Sequence, residues 1–557
     1  MSGNKIRIGI IGGGASGATA CKACLEEGFD VVVFERSTYT GGLWRYHDED
    51  VDGVASVAKS TIINSSKEMS AFSDFPPPKD KEMSAFSDFP PPKEFPNYMH
   101  NSKMVKYFDL YGDKFGYEKY VRFRHDIIKL EPNGDYESTG RWKITAKDNN
   151  NAGKLTEHVF DGVMVCTGHH VTPQVPTFKD QHLFKGQVVH THSYKKPDPY
   201  SDKKVVVVGI GNSAGDAAVE LSTVSEKVYL STRTGTWITY RVGHNGKPSD
   251  STFLRRSKNV LQSLLPYDTV CSLAEKEANK RIDHEEYQLK PKHRYLSQHV
   301  FVNDALPNRI LSGTVSVKPD IDRFTPNGVI FKSESQETPC DVVLLATGYK
   351  VSFPFISQSL IPVRNNQVEL YKYMFSPKLA HPKTLAFISL IQPIGAILPI
   401  GEMQSRWFAQ LMANKLKLPD RQTMSAEIET KKQLIRQRYY NSDRHTIQVD
   451  WINFMDELAA QVGVKPPLLK YFFTDPELWR ALVFGPSVPY QYRLEGPHSW
   501  SGARDAILTV EDRIGAALKT RAPDSRKSRG TKSLLTFTRF VGLILLVIFA
   551  YLLNLIF

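Results

Sequence analysis

Two glycine-rich turns constrain this chain more than any other feature, because each follows a short apolar strand and opens a helix. The first, "RIGIIGGGASGATA" from residue 7, carries Gly12-x-Gly14-x-x-Gly17 and continues through Gly13, Ala15 and Ser16. The second, "VVVVGIGNSAGDAAVEL" over 205–221, carries Gly209-x-Gly211-x-x-Ala214. In such a turn the first glycine permits the tight bend, the second lets a pyrophosphate approach the backbone, and the third lets helix and strand pack closely. The helix N-terminus then faces the phosphates. Two copies predict an α/β protein with two Rossmann-like dinucleotide-binding domains.

The two units differ where the ribose would lie. "FDVVVFE" is a second buried strand ending at Glu35, whose carboxylate accepts hydrogen bonds from ribose hydroxyls and repels a 2′-phosphate, which suits FAD or NAD. In the second unit "KVYLSTRTG" places Arg233 at the corresponding point, and a cation there suits the 2′-phosphate of NADPH. The pair reads as a flavoprotein, FAD in the first site, fed with hydride from NADPH in the second. What the flavin does with its electrons is left open by the fold.

Two further apolar strands, "DGVMVCTG" reaching Thr167-Gly168 and "CDVVLLATGY" reaching Thr347-Gly348, put small residues at strand carboxyl ends, where an α/β sheet meets its ligand. The expected organisation is an FAD domain over 1–170 and 336–518, with a helical C-terminal part and a return to the first sheet after 335. An NADPH domain over 171–335 interrupts it. Prolines 173, 176, 197 and 199 mark the incoming linker and 319, 326 and 339 the outgoing one.

With 557 residues, 41% apolar and 23% charged, the chain has material for several cores and is not a disordered protein. The net charge of +12 suits a phosphorylated cofactor or an anionic membrane face. No basic stripe interleaved with aromatics is present, so nucleic acid is not an expected partner. Five cysteines make no disulfide framework and fit a reducing compartment. Cys21 and Cys24 form a CxxC inside the first helix, where they read as small packing residues, which argues against a disulfide reductase. No nucleophilic triad or metal cluster is apparent, and His190 reads as a structural, hydrogen-bonded histidine.

The apolar run Ile6 to Ile11 leads directly into the glycines and reads as a strand, not a signal peptide. The other end differs. "FVGLILLVIFAYLLNLIF", 540–557, would span about 27 Å as a helix. It reads as a transmembrane tail anchor, and the basic linker 519–539 before it keeps the domains cytosolic. Residues 253–275 mix apolar pairs with cations and read equally as a membrane-resting or a plain surface segment.

Residues 67–79, "KEMSAFSDFPPPK", recur unchanged at 81–93. Two units build no solenoid, and the proline triplets favour extended loop. A recent duplication or a gene-model error accounts for the repeat better than a functional array does.

"FKGQVVHTHSY", 184–194, fits the pattern F-x-G-x-x-x-H-x-x-x-[YF] through Phe184, Gly186, His190 and Tyr194. With "GGLWRY" at 41, "NSSKEM" at 64, "FPNYMHNSK" at 95, "LATGY" at 345, "IQPIGAILPIGEMQSRW" at 391, "HTIQVDWINFMDELA" at 445 and "GPHSWSGARDAIL" at 496, the chain resembles the microsomal flavin-containing monooxygenases over nearly its whole length. The resemblance implies that Gly12 to Ser16, Glu35, Leu43 and Trp44 contact FAD, and that Ser213, Ala214, Gly215 and Asp216 contact NADP. It places Asn64 and Ser65 by the flavin ring.

It further implies an NADPH- and O2-dependent oxygenation of amines and sulfides through a C4a-hydroperoxyflavin, with Asn64 helping to hold that species, in a protein of the endoplasmic reticulum membrane. Such a species needs a neutral hydrogen-bonding group in a dry pocket, and an amide supplies donors and an acceptor without titrating. Baeyer–Villiger oxidation of ketones, an uncoupled NADPH oxidase yielding H2O2, and a membrane-tethered scaffold or redox sensor are the alternatives. The chain departs from the family in the repeat that begins three residues after Asn64, which bears on coupling. It departs again at Thr234, where some members carry a further arginine, so only a moderate preference for NADPH over NADH is expected. Asn64-Ser65-Ser66 is also a glycosylation sequon, idle in a cytosolic domain.

Overall fold

The structure is a computed structural model and describes residues 5–51, 53–74, 95–440, 442 and 444–519. The elements that position the site are, in chain order, β1 (Arg7–Ile11), α1 (Ala15–Glu26), β2 (Asp30–Phe34), α2 (Lys67–Ser70), β3 (Val121–Arg122) and β4 (Gly162–Val165). They continue with β5 (Thr172–Pro173), β6 (Gln187–His190), β7 (Lys204–Val208), α3 (Asn212–Leu221), β8 (Lys227–Ser231), β9 (Val315–Lys318), β10 (Val342–Leu345), β11 (Tyr349–Lys350), β12 (Leu385–Phe387) and α4 (Leu398–Met412).

Two five-stranded sheets result, ordered β12-β4-β1-β2-β3 and β9-β8-β7-β10-β6. Every pairing in both is parallel. Strands buried on both faces read as continuous apolar runs, and Val205 to Val207 and Val342 to Leu344 are fully buried accordingly. The sheets repeat one plan. A central strand runs into the glycine turn, the next strand of its unit lies on one side, and the strand ending in Thr-Gly lies on the other.

That plan corrects the organisation expected from sequence. Val342–Leu345 does not return to the first sheet but pairs with β7, Val205 opposite Val342, and with β6 on its other side. The chain leaves the second unit after Gly348, not after 335. The linkers out of β4 and β10 then pair antiparallel as β5 and β11, and the return to the first sheet is β12, beside β4. Prolines at 319, 326 and 339 lie within the second unit, Pro326 in a turn and Pro339 in the short strand Thr338–Pro339, and proline spacing cannot tell such internal positions from a boundary.

The helix α4 is buried along its full length and packs on α1 beneath the first sheet. Cys21 and Cys24 are fully buried in α1, and burial pushes the Cys21 thiol up to about 12. They are packing residues.

The first copy of the repeat is part of this core as far as Asp74. Glu68 is buried, pairs with Arg513 Nη2 at 2.9 Å and accepts from Tyr490 OH at 3.0 Å. Ser73 Oγ donates to Glu402 of α4 and accepts from Arg493 Nε at 2.7 Å. Asp74 takes Lys22 of α1 at 2.6 Å and Arg493 at 2.9 Å. These two cations hold its carboxyl far below the usual carboxylate range despite burial. The rest of the repeat, 75–94, and the tail 520–557 lie outside the described residues. Among those described, no helix is long and apolar enough to cross a membrane.

Removing one member of a buried ion pair strands its partner's charge, at about 3–5 kcal/mol. Arg493→Met is therefore expected to lower stability by about that amount, read as the shift in urea midpoint. Acid should also destabilise the fold. His284 accepts the Ile238 N–H at Nε2 and donates from Nδ1 to Asn279, and burial pushes its imidazole down to about 4. His445 accepts from His299 N, and burial pushes both of these rings to about 4. Because the folded values lie below the usual 6.5, their contribution is complete above pH 6.5 and is lost as pH falls towards 4. The melting temperature should fall across that window.

Candidate active site

The first glycine turn is closed by its neighbours. Gly12 sits at φ +106°, and a Cβ there would meet the Cys166 carbonyl oxygen at 2.7 Å. A Cβ on Gly17 would lie 2.0 Å from the Gly12 carbonyl oxygen. Gly14 caps α1 without any side-chain bond, and the first turn holds no acidic residue. The free amides of Ala15 and Ser16 therefore make a ready site for an anion. Glu35 Oε2 accepts the Gly13 N–H at 2.6 Å, and Oε1 accepts the Ser37 N–H at 2.8 Å. The turn Gly42–Trp44, which holds Leu43, lies against the glycines, with Gly42 Cα 3.6 Å from where a Gly14 Cβ would be. Ser16 Oγ donates to Ser389 Oγ at 2.8 Å, and Gly401 of α4 has no room for a Cβ beside Ser389.

The second turn repeats the device. Gly209 sits at φ +129°, with a Cβ clash at the Ala346 carbonyl oxygen, 2.4 Å. Gly211 caps α3 without a side-chain bond and with no acid in the first turn. Ser213 is exposed on that first turn, whereas Ala214 and Gly215 are buried, Gly215 against the Phe301 ring. Asp216 accepts from Asn303 Nδ2 at 3.1 Å, and burial pushes its carboxyl up to about 6. Arg233 is exposed two residues past β8. The residues present thus fit one dinucleotide at each turn, and past the second turn Arg233 stands exposed.

Asn64 and Ser65 lie between the two units. Asn64 is half-buried, and its Oδ1 accepts from Arg241 Nη2 at 2.6 Å. Ser65 Oγ shares a hydrogen bond with Ser70 Oγ of α2 at 2.7 Å. The next residue, Ser66, donates its N–H to Asp250 Oδ2 at 2.6 Å. Asp250 is buried, and burial pushes its carboxyl up to about 6 although two backbone N–H groups, of Ser66 and Ser251, bond it. His190 bonds the Gly348 carbonyl through Nε2 at 3.1 Å, a structural contact at the linker. Among the described residues no cluster of side chains is suited to a metal.

This geometry finds its counterpart in known proteins. The chain matches the model of the flavin-binding monooxygenase-like family over residues 5–81 and again over 78–555. It belongs to the flavin-binding monooxygenase-like family. The two matched stretches meet inside the repeat, as a family pattern crossed by a duplicated segment must. The chain is 46% identical to flavin-containing monooxygenase 5 of Rattus norvegicus over 529 residues, 95% of this chain and 96% of that one. It is 40% identical to dimethylaniline monooxygenase [N-oxide-forming] 2 of Oryctolagus cuniculus over 98% of both. In fold it is similar to the S-allyl-L-cysteine S-oxygenase of Allium sativum, with a TM-score of 0.62 at 20% identity over 92% of this chain and 98% of that one.

Sequence reasoning missed Arg241, Asp250, Ser389 and Arg444, whose guanidinium would lie 2.8 Å from a Cβ on Gly211. None sits at a fixed offset from either fingerprint, so no spacing could have revealed them.

Gly17→Ala should yield protein without bound FAD, since its Cβ meets backbone that cannot move, and absorbance at 450 nm would be lost on purification. Arg233→Ala should raise the KM for NADPH about tenfold or more by deleting one charge-assisted contact, and should leave that for NADH nearly unchanged.

Proposed function

We infer that this chain is an NADPH- and O2-dependent flavin monooxygenase of heteroatom substrates, and that its substrates are soft amines and sulfides. The observation that carries the reading is the pair of matching turns, one facing Glu35 and the other leading to Arg233, on a chain of this family. When bound, reduced FAD activates O2 and transfers one oxygen atom. The protein's part is to bind, to orient and to exclude water.

The proposed roles follow the two turns. Gly12, Gly13, Gly14, Ala15, Ser16 and Gly17 hold the FAD pyrophosphate, Glu35 its ribose, and Leu43, Trp44 and Ser65 its remaining contacts. Gly209, Gly211, Ser213, Ala214, Gly215 and Asp216 serve NADP, with Arg233 at the 2′-phosphate. Asn64 is the proposed catalytic residue, a neutral amide that hydrogen-bonds at the reacting centre without supplying a proton. The domain limits proposed are 1–170 with the segment after 348 for FAD, and the residues between for NADPH. Anchoring of the tail 540–557 in the endoplasmic reticulum membrane, with the catalytic units facing the cytosol, is proposed on its apolar composition and basic flank.

The test is stoichiometry. With a simple thioether, sulfoxide formed should equal NADPH consumed, with H2O2 a minor product. A cyclic ketone converted to lactone at a comparable rate would favour the Baeyer–Villiger reading, and H2O2 equal to NADPH with every substrate would favour an oxidase.

A further inference from the structure

Arg241 is where the two nucleotide units meet. It follows the short strand Ile238–Thr239 of the second unit, yet its Nη2 donates to Asn64 Oδ1 of the first at 2.6 Å. Its Nη1 lies 3.4 Å from Asp304 Oδ2, and its backbone N–H donates to Asp304 Oδ1 at 3.0 Å. Its carbonyl accepts from Tyr98 OH of the first unit at 2.8 Å. It also pulls down the raised carboxyl of Asp216. The Nε–H is buried and has no acceptor among the described residues.

A guanidinium carries only donors. The Asn64 atom facing it is therefore the carbonyl oxygen, and the Nδ2–H2 group is turned away from Arg241. A primary amide has two nearly isosteric orientations, and a charge-assisted bond selects one of them. Reversal would set the amide N–H2 against the guanidinium, donor against donor.

We propose that Arg241 is a positioning residue: it fixes the Asn64 amide so that this side chain serves the reacting centre as a donor, and it reserves its own Nε–H for an acceptor on the bound pyridine nucleotide. The proposal rests on the assignment of Asn64 made above. One cation then joins retention of the nucleotide to the orientation of the amide. A buried donor left without an acceptor is destabilising, and a ligand that supplies one gains correspondingly. The pairing with Asp304 lies within the second unit and by itself joins nothing to the first.

A double-mutant cycle on the FAD-loaded enzyme separates the two roles. Asn64→Ala and Arg241→Met are each expected to raise H2O2 released per NADPH about tenfold, the equivalent of one lost hydrogen bond. The double variant should leak no more than Asn64→Ala alone, because Arg241 acts through Asn64. Arg241→Met should also weaken equilibrium NADP+ binding about tenfold, measured by fluorescence titration without turnover. Arg241→Lys keeps the charge beside Asp304 but not the planar fork. It should retain full FAD and still leak, which guards against misfolding of the methionine variant.

Additive leaks in the double variant, full coupling in Arg241→Lys, or unchanged NADP+ affinity in Arg241→Met would each overturn the proposal. If Asn64→Ala alone leaves the peroxide yield unchanged, the Asn64 assignment falls and the proposal with it. If Asn64→Ala leaks while both Arg241 variants stay coupled, only the role of Arg241 falls.

Discussion

The segment 241–256 holds the two nucleotide units in one orientation, and the geometry of the candidate site depends on it. Arg241 grips Asn64, Asp250 receives the Ser66 N–H, and Arg256 makes a bidentate pair with Asp456 at 2.6 and 2.7 Å while also reaching Gln491. These contacts are formed by residues of the second unit on partners of the first. Planar, charge-assisted bonds of this kind are directional as well as strong, so they set distance and angle between the units together. Other contacts cross between the units beside them, among them Lys195 Nζ to Ser56 Oγ at 2.9 Å and Arg438 Nε to the Leu296 carbonyl at 3.2 Å.

The core beneath the first glycine turn has a different character. Lys22, Asp74, Arg493 and Glu402 form a buried ionic group whose members bond one another at 2.6 to 2.9 Å. Such groups add little net stability against apolar replacements, but they tolerate no missing member. Here they secure the start of the repeat, Lys67 to Asp74, directly after the Asn64 loop. The Asn64–Ser65 segment is thereby pinned from both sides, by Arg241 and Asp250 before it enters α2 and by the ionic group after.

The two units reach the same geometry by the same local rule. In each, the glycine at the end of the central strand abuts the carbonyl that ends the neighbouring Thr-Gly strand: Gly12 against Cys166 and Gly209 against Ala346. The Gly12 N–H donates to Phe34 and the Gly209 N–H to Ser231, each the last residue of the following strand. Three strand ends therefore converge on one backbone position, which no side chain could share. This convergence is what makes the turn a cradle, and it explains why the Thr-Gly tripeptides belong with the fingerprints.

Both turns, their strands, the acid at 35 and the cation at 233 were legible in the sequence, because they follow from local rules: steric limits on backbone conformation, strand periodicity and fixed spacing within a βαβ unit. The packing role of Cys21 and Cys24 was legible for the same reason. The placement of Val342–Leu345 in the second sheet was not, since any buried parallel strand has the same apolar pattern and its neighbours are chosen by register across the sheet. Arg241, Asp250 and Arg493 were equally hidden. Their partners lie 177, 184 and 420 residues away, and a charged side chain carries no local mark of which distant partner will desolvate it. Sequence thus decided the local form of each glycine turn, through steric limits and short-range spacing, and only the tertiary structure, through contacts between distant residues, decided how the two turns face each other.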